Sequence, residues 1–329
     1  LSIISTSMLV IATFAVASMV SAYASAGSTA TPRSFSLVIS DDVSQNALST
    51  FIGAFIFSIV ALIALKNGYY DKAGRFALFC LTLMILAMVI ITFVHWVDRI
   101  ARLGRLGGTI DKVETATAAA LQRRRSEPAL RGVPAGPRQN GGQIIYGGTV
   151  GYVQRVDVTA LQAYAEKSRI RITLEALPGT FSAPGRPLAY VTADSGDVSA
   201  IDASQIEKAF LIGDDRLFDE DPRFGLIVLS EIASRALSPA VNDPGTAIGI
   251  IGTFVRLFAR WSEPIEEGNT RTPEYDRVEV PELSLRDMFD DAFTAIARDG
   301  AGAVEVAGRL QKALESLASI GNVAMRDAA

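Results

Sequence analysis

Residues 76–97 read "FALFCLTLMILAMVIITFVHWV", a run that holds no Asp, Glu, Lys or Arg. Residues 3–24 and 47–65 are two further runs of the same kind. An α-helix needs roughly 20 apolar residues to cross the ~30 Å hydrocarbon core of a bilayer. The sequence therefore predicts three transmembrane helices within residues 1–97, in a chain of 329 residues that is 49% hydrophobic.

Charge divides the chain into two parts. Residues 1–142 hold 13 basic and 7 acidic side chains, and the remaining residues hold 18 basic and 28 acidic ones. An acidic soluble part argues against a nucleic-acid partner, which would need a basic face. Basic residues are denser after the third apolar run than in the loop before it. This bias predicts a cytoplasmic C-terminal part at a bacterial inner membrane. The residues after the run are Arg99, Arg102, Arg105, Lys112 and 123–125, against Lys66, Lys72 and Arg75 before it.

The first apolar run could also be read as a signal peptide, because "AYASAG" at residues 22–27 offers Ala-x-Ala cleavage sites. Its length and the absence of a preceding basic region favour a membrane helix. The run is rich in hydroxyl side chains that fall on two neighbouring helix faces. Such residues let helices pack closely in lipid or line a water-filled path, and both interpretations stay open. The candidate pore or packing residues are Ser7, Thr13, Ser18, Ser21 and Ser25.

The end of the third run predicts a membrane–water boundary. His95, Trp96, Arg99 and Arg102 are expected to be interfacial anchors, and the arginines could attract anionic lipid. One histidine and one cysteine, Cys80, are too few for a His/Cys metal site within a single chain. We expect no metal and no other cofactor.

The rest of the chain predicts an α+β region. Residues 98–142 are expected to form a juxtamembrane amphipathic helix followed by a Pro/Gly/Arg-rich linker, and residues 143–212 a small β domain with short helices. Residues 213–329 then predict an α-helical domain, interrupted by an acidic loop at about 262–283. Ser284 and Asp287 form a candidate capping box within it.

The densest local pattern is "SRALSPAVNDPGTAIGI" at residues 234–250. Asp243 can cap a helix that begins at Pro244, and Pro239 can end the preceding one, so the pattern predicts a joint between two helices. The alternative is a structural or interface polar node, or a ligand site, formed by Glu231, Arg235, Ser238, Asn242, Asp243 and Thr246. Ser238 has no histidine to act as its base, and no phosphate-binding loop is present, so we expect the protein not to be an enzyme.

The same stretch resembles the signature Ala-Leu-Ser-Pro-x-x-Asn-Asp-Pro-x-Thr-Ala of a bacterial family of predicted membrane proteins of unknown function. The likeness extends to "GYVQRVD", "LPGTFSAPGRPLA" and "DPRFGL", and it covers nearly the whole chain. The family's Glu-Arg-Thr appears here as Asp215, Arg216 and Leu217, which weakens any ligand role for that loop. The resemblance implies further transmembrane helices before Leu1 and a membrane location, but no activity.

These observations favour a homo-oligomeric inner-membrane pore with a cytoplasmic vestibule domain. The alternative is a non-conducting scaffold, sensor or accessory subunit that binds a partner or a small ligand through its cytoplasmic domain. The expected partners are the lipid bilayer and other copies of the chain.

Overall fold

The computed structural model describes residues 1–34, 36–37, 42–102, 105–137, 142–194, 201–264, 273–320 and 323–329. The chain forms two compact units, Leu1–Lys112 and Val113–Ala329.

The first unit is built from three long helices, α1 (Ser2–Thr29), α2 (Asp42–Lys66) and α3 (Lys72–Arg102). Each contains a segment long and apolar enough to cross a membrane: Ser2–Ser25, Val43–Lys66 and Lys72–Ile100. The three predicted membrane helices are therefore confirmed by length and composition. Large apolar side chains such as Val10, Ile56 and Ile91 point outward from this unit, as lipid-facing residues do.

The core of the first unit is small and aromatic. Ala12 and Ala15 of α1 pack with Ala47, Phe51 and Ala54 of α2 in one buried cluster. Small residues at such contacts let helix backbones approach closely, which is the main source of packing energy in lipid.

Helix α4 (Leu106–Ser126) continues the chain into the second unit. The prediction of one amphipathic helix from Asp98 onward is corrected, because α3 extends to Arg102 and α4 begins at Leu106; Gly104 lies outside the described residues. Helix α4 ends at Ser126, close to the end at about residue 125 that the helical pattern predicts. Val113, Thr117 and Leu121 are buried, so the part of this helix from Val113 onward belongs to the core of the second unit.

Two sheets form most of the β structure described in the second unit. One has five strands in the order β1-β8-β4-β6-β2, and the other has three in the order β5-β3-β7. Strand β8 runs parallel to both of its neighbours, and the other pairs are antiparallel. The strands are β1 (Gly132–Pro134), β2 (Gln143–Tyr146), β3 (Gly151–Val156), β4 (Ile170–Leu174), β5 (Phe181–Ser182), β6 (Pro187–Ala193), β7 (Phe210–Gly213) and β8 (Tyr275–Val280).

The β structure reaches beyond the predicted segment 143–212. Strand β8 comes from the segment predicted as an acidic loop, and β1 from the predicted linker. The segment "SQIEKAFLIG" at residues 204–213 predicts one short helix, but only α6 (Ala203–Glu207) forms and strand β7 replaces the rest. Helix α5 (Val158–Ser168) packs on the five-stranded sheet, and their shared core includes Leu161, Ile172 and Val278.

The remaining helices form the α-helical part of the second unit. Helix α7 (Pro222–Ala236) packs on α9 (Leu285–Asp299), and α8 (Pro244–Ser262) packs on α10 (Val304–Ile320). A short helix α11 (Val323–Ala328) ends the chain. The predicted cap of α9 is confirmed, because the hydroxyl of Ser284 accepts a hydrogen bond from the backbone N–H of Asp287.

Helices α4 and α7 cross at close range. A Cβ on Gly225 of α7 would lie 1.8 Å from Oγ1 of Thr117 on α4, and the Thr117 hydroxyl donates to the carbonyl of Val113. Only glycine allows these two backbones to come this close.

Candidate functional site

Helix α1 packs into the membrane unit through one face and leaves the rest uncovered. Met8, Ala12, Ala15 and Met19 are buried, and their spacing places them on one side of the helix. Thr6, Thr13, Ala17 and Ala24 are all exposed. At ~100° per residue the second group lies about 150° from the first, nearly on the opposite side. We call Thr6, Thr13, Ala17 and Ala24 the threonine face.

The two threonines of this face bond to their own helix. The Thr6 hydroxyl donates to the carbonyl of Ser2 at 3.2 Å, and the Thr13 hydroxyl donates to that of Val10 at 2.9 Å. Each hydroxyl oxygen retains acceptor capacity after this donation. The four residues of this face are small and weakly polar, and the exposed side chains of Val10 and Val20 flank them.

The serines of α1 occupy a different side. Ser7 and Ser21 are exposed, and Ser18 and Ser25 are half-buried. An open cavity of about 470 Å³ forms between this side of α1 and the end of α3. We call this cavity the serine groove. Its lining residues are Ala17, Ser18, Ser21, Ala22, Ser25, Ile100 and Arg105.

The predicted interfacial residues differ in how far their side chains are exposed. His95 is exposed and its Nδ1 lies 2.8 Å from the carbonyl oxygen of Ile91, and Arg99 is half-buried. The side chain of Arg102 lies outside the described residues. Trp96 is 0% exposed, which corrects its prediction as a surface anchor.

Trp96 is the centre of an aromatic cluster within the three helices. Its ring centroid lies 6.2 Å from that of Phe14, 6.3 Å from that of Phe51 and 6.0 Å from that of Phe93. Its indole Nε1 is buried and has no hydrogen-bond partner among the described residues. A buried indole N–H normally finds an acceptor, so this one is unusual.

The joint at residues 236–246 is a helix cap and a turn. The Asp243 carboxylate accepts from the backbone N–H of Thr246 at 3.1 Å and from the Thr246 hydroxyl at 2.6 Å. Asn242 has a φ of +49°, the left-handed conformation that asparagine tolerates, and its N–H donates to the carbonyl of Ser238. The hydrogen bonds to Thr246 hold the pKa of Asp243 below its usual range. The predicted helix joint is confirmed.

Within one subunit the six residues of the alternative do not form one buried cluster, and a structural or interface polar node, or a ligand site, stays a prediction. Ser238 donates its hydroxyl to the carbonyl of Arg235, within its own turn. Arg235 and Asn242 are exposed, whereas Glu231 is half-buried one turn earlier on α7. The side chain of Val241, in the middle of the joint, is 49% exposed. The six residues therefore surround an exposed turn.

A buried ion pair that the sequence did not reveal lies before α7. Nε of Arg216 lies 2.6 Å from Oδ2 of Asp221, and Asp221 also accepts from the backbone N–H groups of Arg223 and Phe224. Burial raises the pKa of Asp221, while the Arg216 guanidinium opposes that rise. Gly179 has a φ of +93°, and a Cβ there would lie 2.3 Å from the Asp221 carboxylate. The backbone at Gly179 therefore covers the ion pair.

A second buried cation lies at the end of α4. Arg124 is 6% exposed, and its Nη2 donates to the carbonyl of Pro281 at 3.3 Å. Its Nε has no partner among the described residues, and burial lowers its pKa to about 10. Arg124 thus fixes the end of α4 to the segment between β8 and α9.

The outer face of the five-stranded sheet carries a cavity of about 860 Å³. Its polar lining is acidic and hydroxyl-bearing, and the Thr173 hydroxyl donates to Oε2 of Glu279 at 2.9 Å. We call it the sheet cavity; its polar side chains are Thr173, Glu175, Tyr190, Thr192, Glu279 and Glu282. Across the described ranges, no three His, Cys, Asp or Glu side chains are grouped as metal ligands.

The comparisons with known proteins decide the family. The model of a family of predicted membrane proteins, DUF2254, matches residues 1–316. The chain belongs to this family. The family predicted from the sequence is therefore confirmed, and with its three apolar helices the chain is a membrane protein of that family.

Individual relatives add little detail. A 105-residue segment is 36% identical to an uncharacterised protein of Mycobacterium tuberculosis and, over the same length, to one of Mycobacterium bovis. That segment is 31% of this chain and 20% of each relative, so the match spans about a fifth of the curated relatives' length. No solved structure matches the chain.

Proposed function

We propose that the protein is a subunit of a homo-oligomeric membrane pore, with the threonine face of α1 lining a polar path between copies. The observation that carries the proposal is the uncovered state of this face in a single subunit, where Thr6 and Thr13 are exposed. A face of Thr and Ala gains little from contact with lipid tails, and it suits a neighbouring helix or water.

The path is placed between subunits because the interior of one subunit is filled. Phe51 and Trp96 are 0% exposed and pack edge to face in the aromatic cluster between the helices. Several copies around an axis could bring their threonine faces together. The Thr hydroxyls already donate to helix carbonyls, so their oxygens would offer acceptors to water or to a cation.

We place the unit Val113–Ala329 on the cytoplasmic side, as the basic residues after α3 favour. In this arrangement the membrane is the bacterial inner membrane and the soluble unit is a vestibule or regulatory domain. We assign no catalytic step to it.

Ion flux into liposomes containing the purified protein tests the proposal. Thr13→Phe should abolish flux, because a bulky ring would occupy the middle of the path. Ile56→Phe is the matched control, since Ile56 is 54% exposed on α2 and away from α1's threonine face. Both variants must elute as the wild-type oligomer. Absence of flux in the wild-type protein, or equal flux in Thr13→Phe, would refute the pore.

A second candidate function is a non-conducting scaffold that binds a small ligand, and the sheet cavity is the observation that favours it. Three carboxylates line this concave surface, which suits a cationic solute. This function predicts no flux in any variant, together with a ligand-dependent rise in melting temperature that is lost in Glu279→Gln.

A further inference from the structure

We propose that the serine groove binds the headgroup of an anionic phospholipid. This inference goes beyond the proposed pore, because the serines that line the groove lie on another side of α1 from Thr6 and Thr13, and Ala17 borders both surfaces. It rests on the position of the groove at the end of two membrane spans and on the chemistry of its lining.

The groove lies where a lipid headgroup would be. The apolar spans of α1 and α3 end at Ser25 and Ile100, and both residues line the groove. Ser18 and Ser21 lie further inside the span of α1, and Arg105 follows the end of the span of α3. The lining therefore runs from the hydrocarbon region, across its boundary, to a cation outside it.

The groups along the lining follow the same order as the parts of a phospholipid that they would contact. The Arg105 guanidinium is exposed and can donate two parallel hydrogen bonds to a phosphate. Serine hydroxyls can donate to the phosphate and glycerol oxygens. Within the part of the chain that the structure describes, this lining includes no carboxylate that would repel an anion.

The buried indole of Trp96 lies close to the groove. Trp96 precedes Ile100 by four residues, so the two share a face of α3, and Phe14 precedes Ser18 by four residues on α1. Trp96 and Phe14 contact each other, which places the indole one helical turn below the groove in the same α1–α3 seam. The indole is 0% exposed and is not part of the groove lining, so it reports on lipid in the groove by proximity and not by contact.

Tryptophan quenching by brominated lipid tests the proposal on the full-length protein. Trp261→Phe leaves Trp96 as the single tryptophan, because the chain has two. This variant is placed in nanodiscs of phosphatidylcholine with increasing phosphatidylglycerol, and bromine is carried on the acyl chains of either one lipid or the other. The ratio of the two quenching constants measures the preference of the groove for the anionic lipid.

We expect a preference for phosphatidylglycerol that Arg105→Gln reduces by about fivefold, the contribution of one basic residue at an anionic membrane surface. Arg105→Lys should keep most of the preference. Arg75→Gln is the matched control, because Arg75 is an exposed arginine near the other end of α3 and should leave the ratio unchanged.

Three results would overturn the proposal. A ratio near one in the wild-type background would show no preference for the anionic lipid. An equal loss in Arg75→Gln and Arg105→Gln would assign the effect to general surface charge. Loss of the preference on adding millimolar inorganic phosphate would show that the groove recognises free phosphate and not a lipid.

Discussion

Replacing Gly225 by alanine should separate helices α4 and α7. The new Cβ would lie 1.8 Å from Oγ1 of Thr117, whereas ordinary contacts begin near 3.4 Å. The helices would have to move apart by the difference, about 1.6 Å, or Thr117 would have to leave its hydrogen bond to Val113. Overpacking of this kind costs about 3 kcal/mol, and the better helix propensity of alanine returns about 1 kcal/mol.

The net loss of about 2 kcal/mol corresponds to a fall of roughly 4–8 °C in the melting temperature of a unit of this size. The assay is thermal unfolding of the full-length protein in detergent, followed by circular dichroism. Gly249→Ala is the control, because a Cβ there meets nothing within 4 Å and alanine should stabilise α8 slightly.

A compensating change makes the reasoning specific to this contact. Thr117→Gly combined with Gly225→Ala removes every Thr117 atom that the new Cβ would meet, so the two changes should be strongly non-additive. A Gly225→Ala protein as stable as Gly249→Ala, or additive effects in the double variant, would refute the close approach of α4 and α7.

Further predictions concern the polar groups of the second unit. Asp221→Ala should destabilise the protein by about 3 kcal/mol, because it leaves the largely covered Arg216 without its carboxylate and removes the cap of α7; chemical denaturation checks this, and a loss under 1 kcal/mol would contradict it. Asp243→Ala should cost only about 1 kcal/mol, the value of a helix cap, and should leave flux into liposomes unchanged. Hydrogen bonds from Arg298 and Ser234 lower the pKa of Asp299 to about 2. The contribution of Asp299 to stability is therefore present above pH ~4 and lost as the pH falls toward 2. In Asp299→Asn the loss of stability between pH ~4 and 2 should be smaller by this contribution.

The apolar runs and the helix caps could be predicted from the sequence because their signals are local. Three runs of about twenty residues have only one common explanation, and Asp243 before Pro244 defines a helix start by its own chemistry. The same holds for Ser284 and Asp287. These elements depend on residues within a few positions of one another.

The strands at the edges of the predicted β domain could not be predicted, because pairing partners far along the chain decide them. In "YDRVEV" at β8, the buried residues Tyr275, Val278 and Val280 alternate only imperfectly with charged ones. Its strand state depends on β1 and β4, more than a hundred residues away. The sequence therefore reads as an acidic loop.

The candidate sites also combine features that local sequence predicts with features that only tertiary packing decides. The hydroxyl residues of α1 were visible as a pattern, but which of its two faces is uncovered depends on packing by Met8 and Ala15 against α2. Trp96 was expected at the surface because tryptophan is common at membrane boundaries. Its burial follows from Phe14 and Phe51, which are distant in sequence and enclose it on two sides.

The most direct test of the central claim is the water accessibility of Thr13. Thr13 lies at the middle of the span Ser2–Ser25, where lipid-facing side chains do not meet water. Thr13→Cys and the control Ile56→Cys, each combined with Cys80→Ala, are treated in liposomes with a hydrophilic, membrane-impermeant thiol reagent. The pore predicts rapid modification at residue 13 and none at residue 56. Equal protection of both cysteines would contradict a polar path along α1.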